Sequence, residues 1–121
     1  MRIVVVSSLI LCFVGCAKPK TILAGGKPVR YWVQAIHDPD PRLRKQAVFK
    51  LGNVGPTEPE ALPAVTAALK DPDAAVRREA ILALVKFGTD AKSAVPILAE
   101  LRQTDRDARV RKYAMLALKK L

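Results

Sequence analysis

One pattern is written three times in this chain: "DPDPRLRKQAVFKLGNVG" at 38–55, "DPDAAVRREAILALVKFG" at 71–88 and "DRDARVRKYAMLALKKL" at 105–121. Asp38, Asp71 and Asp105 fix the register, which steps by 33 and then 34 residues. Asp40, Asp73 and Asp107 then coincide, as do Leu43, Val76 and Val110; Arg44, Arg77 and Arg111; Ala47, Ala80 and Ala114; and Leu51, Leu84 and Leu118. A period of this length belongs to a solenoid. One unit of it cannot bury its apolar face alone and must stack on the next.

Each unit opens with an Asp-rich turn. Asp40, Asp73 and Asp107 stand just before an apolar periodic run, where a carboxylate can accept the free N–H groups of a helix start. Pro41 suits the first helical position. In the middle copy Val76, Ala80, Ile81, Leu84 and Phe87 fall on one helical face, and Gly55 and Gly88 suggest left-handed C-caps in the first two copies. A second helix follows: "EALPAVTAALK" at 60–70 aligns with "KSAVPILAELR" at 92–102, each with its proline in the first turn, where no hydrogen bond is lost. Stepping back once more aligns "PVRYWVQAIHD" at 28–38, with Trp32 at the core position of Val65 and Leu98. The expected order is helix B, two A–B pairs, then a final A. The fold class expected is therefore all-α: a short solenoid of antiparallel helix pairs, about two full repeats with a half repeat at each end. Few aromatics and much Ala and Leu agree with helix.

Paired helices of this length, with an Asp-rich turn and an Arg six residues on, resemble HEAT repeats, most nearly the short phycobilisome-lyase-like variety. The resemblance covers residues 28–121 and speaks to fold more than to activity. It implies a ladder in which Asp38, Asp71 and Asp105 with Arg44, Arg77 and Arg111 join successive repeats. In the third copy Arg106 replaces the proline and Leu121 the glycine.

The N-terminus has a different character. In "MRIVVVSSLILCFVGCAKPK" the run Ile3 to Val14 is apolar except for Ser7 and Ser8. As a helix it would span about 18 Å, short of the roughly 30 Å of a hydrocarbon core, and it suits a signal peptide. Its end, "FVGC", resembles the bacterial lipobox, with Phe13 where leucine is usual. The expectation is a signal peptide over 1–15, Cys16 as a lipidated first residue, a flexible tether over 16–27 and the repeat domain over 28–121. That places the protein at the bacterial cell envelope as a membrane-anchored lipoprotein, facing the periplasm or the exterior. "AGGKP" at 24–28 is no phosphate loop, because Thr21 stands where Gly is needed and Pro28 where Ser or Thr is needed.

Catalytic, cofactor-binding and metal-binding residues are expected to be none. Six of the eleven acids are taken up by the repeat turns, His37 is the lone histidine, and Cys12 and Cys16 cannot supply a four-ligand zinc site. Net charge is +10, with 21 Lys and Arg against 11 Asp and Glu, which admits an anionic partner. Lys45, Arg78 and Lys112 form an aligned column, with Arg42 and Arg109 one turn before two of them; these are the candidate anionic docking residues. The last A helix has no B helix after it, so Val110, Met115 and Leu118 are candidates for end-on self-association.

The functional expectation is a non-catalytic, lipid-anchored scaffold for an unidentified protein partner. The alternative is binding of nucleic acid or an anionic surface through the basic face, with nucleic acid disfavoured by the export signal. A third reading is an accessory subunit of a lyase-type enzyme.

Overall fold

The computed structural model describes residues 21–121. A two-stranded antiparallel hairpin, β1 (Leu23–Ala24) and β2 (Lys27–Pro28), leads into six helices. These are α1 (Val29–Ala35), α2 (Pro41–Val54), α3 (Ala61–Ala68), α4 (Ala74–Phe87), α5 (Val95–Thr104) and α6 (Ala108–Leu118), with short 3-10 turns at Gly55–Thr57 and Gly88–Ala94. The A helices α2, α4 and α6 pack on one another in succession. On their side α1 lies against α2, α3 against both α2 and α4, and α5 against α6. This is an all-α HEAT-like solenoid.

The A helices start where the second Asp of each turn caps them. Asp40 accepts from the Arg42 N–H, Asp73 from the Ala75 and Val76 N–H groups, and Asp107 from the Arg109 and Val110 N–H groups. Each apolar stripe then turns inward. Leu51, Leu69, Ile81, Leu84, Leu98 and Val110 are fully buried, and Trp32 joins them. Burying one such side chain stabilises the fold by about 1.5–3 kcal/mol.

Three expectations need correction. Gly55 and Gly88 do take positive φ, 68° and 60°, but with ψ of −156° and −130°. That is not the left-handed helical cap; it is an extended region that glycine alone reaches easily, and it swings the chain directly into the 3-10 turns. The tether expected over 16–27 is shorter than that, because residues 23–27 belong to the folded body. A buried indole N–H needs an acceptor, and Trp32 Nε1 donates to the Ala24 carbonyl at 2.7 Å. That bond pins the hairpin onto α1 and buries Ala24.

The third correction concerns the last helix. α5 precedes α6 in sequence but packs along it, and α4 covers its other flank. Val110, Ala114 and Ala117 are consequently buried, so Val110 is unavailable for end-on association. Met115 and Leu118 are half-buried, Leu118 against the core.

Candidate functional site

Two features of the A helices could do chemical work: the clasp between repeats and the surface the helices leave open. The clasp begins in the turns. The first Asp of each turn accepts the N–H of the residue two further on, Asp38 from Asp40, Asp71 from Asp73 and Asp105 from Asp107, at 2.8–2.9 Å. Such Asx turns fix the backbone and leave the carboxylate oriented toward the preceding repeat.

Arg44 Nε and Nη2 donate to Asp71 Oδ2 and Oδ1 at 2.8 and 3.0 Å. Arg77 makes the same fork with Asp105 at 2.8 and 2.9 Å. The third nitrogen of each turns back onto its own turn. Arg44 Nη1 donates to the Asp38 and Pro39 carbonyls, and Arg77 Nη1 to those of Asp71 and Pro72. Each guanidinium therefore closes its own turn and grips the next one. Such bidentate, charge-assisted pairs are the strong kind. The Asp71 hydrogen bond raises the Arg44 pKa above its ordinary value. Arg111 makes only the backward contacts, to the Asp105 and Arg106 carbonyls. Among the described residues no carboxylate meets the other edge of Arg111, and no Arg forms an ion pair with the Asp38 carboxylate.

The cap carboxylates titrate low. The Arg42 guanidinium, followed by the Arg42 N–H, holds Asp40 below the ordinary 3.8. The Val110 N–H does the same for Asp107, opposed by desolvation and helped by the Arg109 N–H. Because the folded values are depressed, the stability these caps contribute is present above about pH 4 and lost as the pH falls through the lowered values. Unfolding free energy followed between about pH 2 and 6 should show this acid loss. Asp107→Asn, which keeps an acceptor but cannot titrate, should reduce its slope; an unchanged slope would remove Asp107 from the account.

The basic column is not uniform. Lys45 and Lys112 are exposed and without an ion pair among the described residues, whereas Arg42 is spent on Asp40 at 3.1 Å. Arg109 is exposed. Arg78 is half-buried, and its Nε is buried without a hydrogen-bond partner among the described residues. It lies in a shallow cleft of about 170 Å³ with Lys45, Ala75, Glu79, Leu82 and Tyr113.

A second column escaped the sequence reading. Phe49, Leu82 and Leu116 are exposed at 42%, 41% and 43%, and they occupy one register position of the repeat. Each follows the basic column by four residues, so the two columns run side by side. The signal that could have found them is the register itself: three large apolar residues at one position that lies off the buried stripe.

Cys16 and the signal segment lie outside the described residues. Among the described residues no group of three or more His, Cys, Asp or Glu could hold a metal ion, and no helix is long and apolar enough to cross a membrane. In comparison with known proteins, the family of HEAT repeats matches residues 29–119. No curated protein matches the chain.

Proposed function

The chain belongs to the HEAT-repeat family, and on that premise we propose that it is a protein-interaction module, held at the bacterial envelope by lipid on Cys16. The observation that carries the binding role is the repeat clasp. Arg44–Asp71 and Arg77–Asp105 lock three A helices into one stacked array, and such arrays present continuous surfaces suited to binding another chain. The acids of the repeat turns are consumed by capping and clasping, which favours binding over catalysis. The anchor is supported by the short apolar run ending in Gly15–Cys16.

Labelling of intact cells with a palmitate analogue tests the anchor. The wild type should take the label and Cys16→Ser should lose it entirely; equal labelling of the two would end the lipoprotein reading. In-cell photocrosslinking from single positions on the A and B helices tests the binding role. Discrete protein adducts confined to one face are expected. Crosslinking to lipid or nucleic acid alone would contradict a protein partner.

A further inference from the structure

We propose that the A-helix face docks an acidic amphipathic helix of a partner protein. Its apolar side chains would rest on Phe49, Leu82 and Leu116, and its carboxylates on the cations to either side. This rests on the protein-interaction reading above and gives it a surface and a partner chemistry.

The apolar column is bordered by positive charge along both edges. Lys45, Arg78 and Lys112 lie one turn before it, and Lys86 and Lys120 lie one turn after Leu82 and Leu116. Lys86 also reaches across to α2. Its Nζ donates to Asn53 Oδ1 at 2.7 Å and stands 4.8 Å from the centre of the Phe49 ring. Lys50 Nζ approaches the same ring at 5.9 Å. Exposed apolar side chains repeated at one position, with cations on both flanks, are complementary to a ligand that is apolar along its middle and acidic along its sides.

The orphaned Arg78 Nε selects between ligands. It is recessed in the cleft beside Leu82; Glu79 lines the same cleft without an ion pair to it, and the Asp107 carboxylate feels the guanidinium through space without forming an ion pair with it. A side-chain carboxylate entering the cleft can pair with the Arg78 guanidinium where it lines the cleft wall. A flat bilayer surface cannot follow a side chain into that cleft and would leave the guanidinium there without a carboxylate. The spacing points to a helix. Packed helices lie about 8–10 Å apart, so successive members of the column should be separated by about that distance. Positions seven apart on a helix lie about 10 Å apart on one face. The occupant would therefore cross α2, α4 and α6 with an apolar residue at every seventh position and Glu or Asp beside each.

The test uses the full-length protein in a neutral detergent and a fluorescent helical peptide with leucine at every seventh position flanked by glutamate. A scrambled peptide of the same composition serves as control. Anisotropy should show the patterned peptide binding at least about tenfold more tightly than the scrambled one. Leu82→Asp and Arg78→Glu should each weaken it by about tenfold or more while thermal unfolding shows the fold intact. Equal binding of the two peptides, or wild-type affinity in both variants, overturns the proposal. So does uptake onto anionic vesicles through these residues with the peptide ignored. A native protein that crosslinks elsewhere and is indifferent to Leu82→Asp would preserve the protein-interaction reading while removing this face from it.

Discussion

Arg77→Ala is expected to destabilise the domain by about 3–5 kcal/mol, the largest loss among the single substitutions considered. The Arg77 and Asp105 side chains retain only 8% and 4% of their exposure. Truncating the arginine leaves the Asp105 carboxylate buried with only the Asp107 N–H, and strips the Asp71 and Pro72 carbonyls of their donor. For a domain of this size the loss corresponds to a fall in Tm of roughly 12 °C or more. Arg77→Lys should recover only part of it, because an ammonium keeps the charge but has no planar fork to span two carboxylate oxygens and two carbonyls. Arg44→Ala should cost less, since the Arg44–Asp71 pair keeps 13% and 8% exposure and water can partly replace the lost donor. Arg78→Ala, one residue along, should cost about 1 kcal/mol or less, mostly packing of its stem. Thermal melts that rank Arg77→Ala and Arg78→Ala as equals would contradict the clasp.

Gly52→Val should cost about 2–3 kcal/mol by overpacking. A Cβ at position 52 would stand 2.7 Å from the Ala83 Cβ and 3.1 Å from its Cα. Neither atom can swing away, so α2 and α4 would have to separate. A glycine inside a helix forgoes about 1 kcal/mol relative to alanine; here that cost accompanies the close contact of the two helices. Ala83→Gly in the Gly52→Val background should restore part of the loss, giving a favourable interaction energy of about 1 kcal/mol. If Gly52→Ala raised Tm instead, helix propensity would outweigh the contact and the helices could not be packed so closely.

Much of the fold was readable because its signals are local or periodic. The caps at Asp73 and Asp107 depend on residues two and three positions away, and the core stripe of α4 on helical spacing. The Arg44–Asp71 and Arg77–Asp105 pairs span 27 and 28 residues. Only the repeat register and the family resemblance brought those partners into view. The carbonyl contacts of Nη1 were not readable, since they depend on how the turn folds back over its own helix. The hairpin was missed because Gly25–Gly26–Lys27–Pro28 reads as flexible by composition. What orders it is the need of a distant indole for an acceptor. Chain order alone makes Val110 an exposed end, since no helix follows α6 to cover it; the packing differs because α5, which precedes it, lies along α6. Phe49, Leu82 and Leu116 were overlooked for a related reason. A helical stripe identifies which apolar residues can share a face; which faces stay uncovered is decided by the neighbouring helices.

The central claim is that the repeats are held in one array by a coupled pair rather than by two independently useful side chains. A double-mutant cycle on Arg77 and Asp105 measures this directly, using denaturant unfolding of the wild type, Arg77→Ala, Asp105→Ala and the double variant. The account predicts that the double variant is little worse than Arg77→Ala alone, with a coupling energy of about 1.5–3 kcal/mol. Losses that simply add would contradict it.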